Sequence, residues 1–513
     1  MRSGANRKAV IIILLAILVL ALLLRVFNVG HVLSWDEAWN VNSVVDAATG
    51  HTDDASTFFP NFWRHPPSYT GLGILYAWVT GSGRAGVSIA LELLSIIFAL
   101  LLIVVIFLCG RDWFDYRAGL FASFLFAVMP AARVYDTWVK QESLTLLFGL
   151  LFLLLFFREK HVAAGIFLGM ALLTKEIVVF IPFALVLFLA VTRRFGEYRR
   201  LAVSLVVAVF LSAWWYLLFS RTSGHFVDFF LGKHESALTW AGPWFFYLKR
   251  IPGDVGWVGF LAALLGVAFM ACRLVIARHG DRGRDRYTPP EMALFIVIWL
   301  SVIYLTLSLS SGKPPWMAYS AFPGLALLGG WGLSEAFKAA SKRRGMAAAL
   351  TALVVAVAVA MSVPVSFGEY MSSGDVMFPD ALRDKAIAER INREVGAEGK
   401  IMLRDADLSP TLAFYLDNYR PGCMTLLPLE RSADDDLAGF SFLLLDNWKD
   451  PEKTHEMDLE KAYEYLEAAE PDLLLLNRDS RLAREAGLYI EPVRIDGTCI
   501  FKGRKLVEAI GKH

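Results

Sequence analysis

Ser34-Trp35-Asp36-Glu37-Ala38-Trp39 places two adjacent carboxylates between two tryptophans, shortly after the apolar run of residues 9–24. Taking a carboxylate out of water is costly, so an acid pair where a helix leaves a bilayer is by default a functional-site candidate. Neighbouring residues on a regular element point in different directions. One acid therefore acts while the other holds a partner or the loop, and Asp36 is taken as the actor. The plainer alternative is an interfacial loop with solvated acids, in which Trp35 and Trp39 serve as headgroup anchors.

Cations come next. Lys175, in Leu173-Thr174-Lys175-Glu176, stands between two apolar segments. It either pairs with Glu176, snorkels to the interface, or holds an anion at bilayer depth. Arg133-Val-Tyr-Asp136, followed by Lys140-Gln-Glu142, offers an arginine that either pairs with Asp136 or grips a phosphate, to which its planar fork is suited. His65 precedes Pro66-Pro67-Ser68-Tyr69, and the fixed φ of proline lowers the entropy cost of placing a side chain beside it. That histidine caps the following helix, binds a phosphate oxygen or ligates a metal. The segment 225–247 carries His225, Lys233-His234-Glu235 and Gly242-Pro-Trp-Phe-Phe-Tyr247. Its aromatics suit interfacial anchors, and His234 is a possible metal ligand, but no cluster with zinc-like spacing surrounds it.

The elements that must position these residues are mostly membrane. The chain has 513 residues, 56% hydrophobic and 19% charged, with mean hydropathy +0.50, against roughly 25% charged in an ordinary soluble domain. A formal net charge of +1 gives no support for nucleic-acid binding. A bilayer crossing takes about 20 apolar residues, and Lys and Arg stay on the cytoplasmic side. Basic clusters at residues 1–8, 111–117, 158–161, 193–200, 273–286 and 338–344 must then face one way. Spans at 9–28, 86–109, 118–132, 143–157, 162–173, 177–191, 201–219, 256–277, 292–308, 319–337 and 346–363 satisfy this, about eleven crossings. The basic start of the first span, with no small-residue cleavage site after it, reads as an uncleaved anchor. The short stretch 66–80 is read as an interfacial or re-entrant helix, because counting it as a span would invert every later loop.

This topology gathers the loop 30–84, residues 133–142, the Lys175-Glu176 turn and the loop 221–255 on the outer face. Residues 1–365 form the transmembrane catalytic domain. Residues 366–513 form a soluble α/β domain outside the cytoplasm, where amphipathic helical patterns at 380–395 and 456–469 alternate with apolar runs at 400–403, 440–445 and 472–476. Of four cysteines, Cys109 and Cys272 belong to the spans and suit small apolar roles. Cys423 and Cys499 lie in the tail, where a disulfide is chemically permitted, although spacing alone does not bring them together.

Taken in order, Asp36-Glu37, His65-Pro66-Pro67, Arg133 to Asp136, Lys175, His234 with Pro243-Trp244-Phe-Phe-Tyr247, and Lys313-Pro-Pro-Trp316 with Phe322-Pro323 resemble the GT-C membrane glycosyltransferases of the protein O-mannosyltransferase and aminoarabinose (lipid A) transferase type, glycosyltransferase family 39-like. The resemblance covers residues 1 to about 363. It implies an inverting transferase in the cell (cytoplasmic) membrane. Such an enzyme moves a sugar from a dolichyl- or polyprenyl-phosphate donor to a lipid, glycan or protein acceptor on the outer side. It also implies that Asp36, with Glu37, sits at the reacting centre and that Lys175, Arg133, Arg84 and His65 bind the donor phosphate. Asp136, Tyr69, Trp244 and Tyr247 would then form the acceptor side or pocket. In the aminoarabinose branch a histidine of the aromatic loop lies near a metal; that maps onto His234 and a divalent cation (Mg, Mn or Zn). That branch has Glu-Lys before the Pro-Pro corner, where this chain has Arg64-His65.

The residue types fit that chemistry. A departing phosphate is already a good anion and needs cations more than a general acid, while a single carboxylate suffices as base toward a hydroxyl or amine. No Walker-type phosphate loop and no Gly-x-Ser-x-Gly elbow occurs, which argues against an ATP-driven pump or a serine hydrolase. A non-catalytic transporter or flippase partner is the competing class. Charges at the outer ends of spans, with few in their middles, favour transfer.

Overall fold

A computed structural model describes residues 4–49, 66–218, 242–277, 287–341, 346–362, 367–374 and 378–395, together with the strands and short helical pieces between 400 and 509. The chain divides into two compact units. The first comprises residues 1–31, 62–76 and 85–376, the second 32–61, 77–84 and 377–513.

The helices and short helical turns are the regular elements described in the first unit. Every apolar segment read from the sequence is a helix: Gly4–Val26, Arg84–Trp113, Tyr116–Val128, Glu142–Phe157, His161–Leu172, Phe180–Val191, Glu197–Leu218, Phe246–Ala277, Pro289–Leu309, Phe322–Ala340 and Met346–Ser362. Among described residues, five helices are long and apolar enough to cross a membrane, and five more are apolar but shorter. The stretch left out of the span count is a separate 13-residue helix, Ser68–Thr80, with Trp78 and Val79 exposed.

Local chemistry sets the helix ends. The Asp115 carboxylate accepts from the Arg117 and Ala118 N–H groups at 2.8 and 2.9 Å, capping Tyr116–Val128. Met129 is held extended by Pro130 behind it, which splits that helix from the short Pro130–Tyr135 turn. Thr288 donates its N–H to Glu291 at 2.7 Å, a capping box with Pro289 at the first helical position. Without a hydrophobic force between helices in lipid, close approach through small residues drives their association. The Gly329-Gly330-x-Gly332 stretch does this on two faces. A Cβ on Gly330 would fall 2.5 Å from the Ala118 carbonyl, and one on Gly332 2.6 Å from the Ala262 carbonyl.

Ion pairs tie the loops at one end of this bundle. Arg158 meets Asp112 at 2.6 Å, Lys338 meets Asp115 at 2.7 Å, Arg273 meets Glu335, and Arg194 meets Glu291 at 3.1 Å. The basic clusters around 111–117, 158–161, 273 and 338 thus share an end, as their common sign requires. Helix Glu142–Phe157 runs from the opposite end, where Glu142 lies, to this one, where Arg158 lies.

In the second unit a six-stranded sheet has the order β2-β1-β3-β4-β6-β5, with β1 Lys400–Leu403, β2 Thr425–Leu426, β3 Phe440–Leu444, β4 Leu473–Asn477, β5 Val493–Ile495 and β6 Thr498–Lys502. Strands β2, β1, β3 and β4 are parallel; β6 pairs antiparallel with β4 and β5. The three apolar runs expected from sequence are β1, β3 and β4. The expected helix at 380–395 is Phe378–Val395, whereas 456–469 lies outside the described residues. Helix Trp35–Thr49, expected with the membrane domain, belongs to this second unit and packs with Pro410–Tyr415. The Leu33 N–H donates to the Tyr415 hydroxyl at 3.1 Å. Cys109 is buried and Cys272 exposed, both free; Cys423 lies outside the described residues, and Cys499 stands opposite Leu476 in the β4–β6 register.

Candidate functional site

The acid pair begins a helix. Ser34 precedes Trp35–Thr49, and Ser34-x-x-Glu37 is a capping-box spacing. The Glu37 carboxylate reaches back and accepts from the Ser34 N–H at 2.9 Å, with Glu37 fully buried. Asp36, one residue earlier, is half-buried. Trp35 and Trp39, one turn apart, stack with ring centroids at 5.1 Å. Glu37 therefore fixes the helix start and Asp36 is the more accessible carboxylate, in a first turn whose N–H groups favour negative charge.

In the first unit the end opposite the ion-paired loops holds a small open cleft lined by Glu142, Thr145, Leu146, Lys175, Ile177, Trp316, Met317, Tyr319 and Ser320. The Lys175 Nζ donates to Glu142 Oε1 at 2.5 Å, so its ion-pair partner is Glu142 and not the adjacent Glu176. Both side chains are largely buried, 13% and 7% exposed. Glu142 Oε2 is buried and has no hydrogen-bond partner among the described residues. Beside the cleft the Lys140 Nζ lies 3.9 Å from the Trp138 ring centroid and 4.2 Å from that of Trp316. Two aromatic faces thus hold a buried ammonium.

Backbone and hydroxyl bonds fix this cleft. Pro66-Pro67 starts the Ser68–Thr80 helix, whose Ser68 N–H donates to the Leu173 carbonyl at 3.0 Å, two residues from Lys175. The Tyr69 hydroxyl meets Leu91 O at 3.2 Å and Ser95 Oγ at 2.9 Å, and Ser95 Oγ donates to Trp138 O at 2.7 Å. The Pro-Pro corner, the 138–142 segment and the Lys175 turn are brought together by these contacts, although together they span more than a hundred residues of sequence.

Beneath the cleft lies a charge network that sequence reasoning missed. Arg25, fully buried in the last turn of the first helix, donates through Nε to Asp136 Oδ2 at 2.7 Å and through Nη1 to the Ala21 and Ala127 carbonyls at 3.1 and 3.0 Å. Ser143 Oγ donates to Asp136 Oδ1 at 3.1 Å, and the Tyr319 hydroxyl, from the cleft wall, donates to the same oxygen. Asp136 is thus the partner of Arg25. The signal was present: an arginine inside an otherwise apolar span has to be compensated. Glu92 was missed for the same reason. It is buried in Arg84–Trp113 and accepts from the Gly30 N–H at 2.7 Å and Ser88 Oγ at 3.0 Å.

The remaining expected site residues are spread more widely. Arg133 is 6% exposed on Pro130–Tyr135, and burial, then the charge of Arg25, lower its pKa to about 10, so it stays cationic at neutral pH. Arg84 is half-buried at the start of Arg84–Trp113 and is grouped with the second unit, whereas the helix from Ala85 onward belongs to the first. Tyr69 and Tyr247 are both buried, Tyr247 donating to the Pro314 carbonyl at 3.0 Å. Trp244 is 68% exposed. Asp136, Tyr69, Trp244 and Tyr247 are all absent from the cleft lining. His65 and His234 lie outside the described residues. Among the described residues no three His, Cys, Asp or Glu side chains gather to hold a metal.

Residues 68–217, which carry the Pro-Pro helix, Arg133, Glu142 and Lys175, match the family model for dolichyl-phosphate-mannose-protein mannosyltransferase. The fold is that of the GT-C membrane glycosyltransferases. ArnT from Cupriavidus metallidurans, solved bound to undecaprenyl phosphate, superposes with a TM-score of 0.61 at 18% identity, over 96% of this chain and 97% of that one. Its apo form gives 0.61 at 18% identity over 98% and 99%. The archaeal oligosaccharyltransferase AglB from Archaeoglobus fulgidus, solved with an inhibitory peptide and a dolichol-phosphate, gives 0.57 at 15% identity over 95% of this chain and 71% of that one. Comparison with curated protein sequences gave no match. With its apolar helices, the chain is an integral membrane protein.

Proposed function

We propose that this chain is an inverting glycosyltransferase that takes a sugar from a polyprenyl-phosphate donor and delivers it to a lipid, glycan or protein acceptor on the extracytoplasmic side of the membrane. The observation that carries this reading is the cleft that joins Lys175, Glu142 and Trp316, with Lys140 alongside, in a fold shared with a protein solved on undecaprenyl phosphate. Buried cations beside a cleft at the end of a helical bundle suit a lipid-linked phosphate. The ion-paired end carries the basic loops, and the positive-inside rule assigns that end to the cytoplasm and the cleft to the outer leaflet. The soluble residues after 365 then serve the outer side, as acceptor-binding surface or cover.

In the proposed reaction the Asp36 carboxylate takes the proton of the acceptor hydroxyl or amine as its oxygen or nitrogen attacks the anomeric carbon. The carbon–oxygen bond to phosphate breaks, the polyprenyl phosphate departs with that electron pair, and attack from the opposite face inverts the anomeric centre. Lys175 and Arg133, with Arg84 and His65, neutralise the departing phosphate. Glu37 positions Asp36 by holding the helix start. Transfer is measured in proteoliposomes with a polyprenyl-phosphate sugar, alongside donor affinity. Asp36→Asn abolishes transfer and leaves donor affinity near wild type; Lys175→Ala weakens donor affinity. Full activity in Asp36→Asn removes that residue from the chemistry, and unchanged affinity in Lys175→Ala removes the lysine from the donor site.

A further inference from the structure

We infer that Glu142 is a built-in competitor of the donor phosphate, holding Lys175 between turnovers and driving the spent lipid phosphate off it; this rests on the donor-site reading of Lys175. Three observations carry it. Glu142 Oε1 already occupies the Lys175 ammonium at 2.5 Å. Its other oxygen is buried without a hydrogen-bond partner among the described residues. Both side chains line the one cleft. A pair built only for stability would have both carboxylate oxygens satisfied, as Asp136 has through Arg25, Ser143 and Tyr319.

The reason for such an arrangement lies in the charges of the two ligands. A lone ammonium in a cleft of low dielectric is costly, and Glu142 offsets that cost while the cleft is empty. The donor is a phosphodiester with one negative charge, whereas the product is a phosphomonoester with about −1.5 to −2 near neutral pH. A site made of cations alone would bind its product more tightly than its substrate. A fixed carboxylate against the same lysine penalises the extra charge selectively, so Glu142 sets product release and the preference for diester over monoester.

The test measures binding of undecaprenyl phosphate to the full chain in phosphatidylcholine nanodiscs, with steady-state transfer from a polyprenyl-phosphate sugar, in wild type, Glu142→Gln, Lys175→Met and the double variant. Glu142→Gln, which keeps the acceptor oxygen but loses the charge, is expected to bind the phosphomonoester at least about fivefold more tightly, with kcat and donor KM falling together. In the Lys175→Met background the same change is expected to have no effect. Unchanged or weaker binding in Glu142→Gln, with Lys175→Met itself weakened, overturns the competitor role and leaves the donor site standing. Unchanged binding in Lys175→Met overturns the donor-site reading. Should Glu142→Gln fail to accumulate, Glu142→Asp, which draws the carboxylate back, is expected to tighten binding in the same direction by a smaller factor; no tightening there overturns the proposal too.

Discussion

The two ends of the helical unit use the same residue types to opposite effect. At the end tied by Asp112, Asp115, Glu291 and Glu335, each acid faces a Lys or Arg that is 21–48% exposed. Water and salt screen such pairs, which join loops and are worth little individually. At the other end Arg25, Asp136, Glu142 and Lys140 are almost wholly buried, and the charges are answered by buried ion pairs, hydroxyls and aromatic faces. Exposure, not composition, separates the two ends.

Breaking the buried network tests this contrast most severely. Arg25→Met leaves the Asp136 carboxylate buried without its charge partner, and a loss of about 3–5 kcal/mol is expected, read as a large drop in thermal stability in detergent. A small drop would mean that water reaches Asp136. Next in size, Trp316→Ala removes one of the two rings over Lys140 and part of the cleft wall. Cation–π contacts are worth about 0.5–2 kcal/mol, so donor binding is expected to weaken by roughly two- to thirty-fold with little change in stability. Equal affinity would remove the Trp316 ring from the donor site.

The smallest effect is expected at the ion-paired end. Lys338→Ala is expected to cost on the order of 1 kcal/mol or less at neutral pH, with transfer unchanged. Burial pushes the Asp115 carboxyl up, but hydrogen bonds from Lys338, the Ala118 N–H and Ser334 leave it below its ordinary range. A folded-state pKa below the unfolded one contributes stability above the unfolded value, near pH 4, and that contribution is lost as pH falls through the folded value. Wild type and Lys338→Ala should therefore differ most above about pH 4 and converge in stronger acid. Melting curves across that range check the sign, and divergence in acid would contradict it.

Particular residues show what was readable in advance. The apolar runs are helices because a bilayer leaves backbone groups no other partner. Each basic cluster had to share an end because of its sign. Strands β1, β3 and β4 were visible as apolar runs, whereas β2, β5 and β6 were not: short strands are recruited by their neighbours and carry little pattern of their own. The division of labour at Asp36 and Glu37 was implicit in Ser34-x-x-Glu37, a local capping pattern.

Pairings across long separations were beyond reach. From sequence Lys175 had Glu176 beside it and Arg133 had Asp136 three residues on, yet the folded chain joins Lys175 to Glu142 and Asp136 to Arg25. Sequence alone determined which segments are apolar, which loops are basic and where the unusual charges fall, since these follow from residue type and short spacing. Only the tertiary structure decided which charge answers which. Partner choice depends on how helices cross, and the crossings are set by close-packed contacts such as those of Gly330 and Gly332, between residues far apart in the chain.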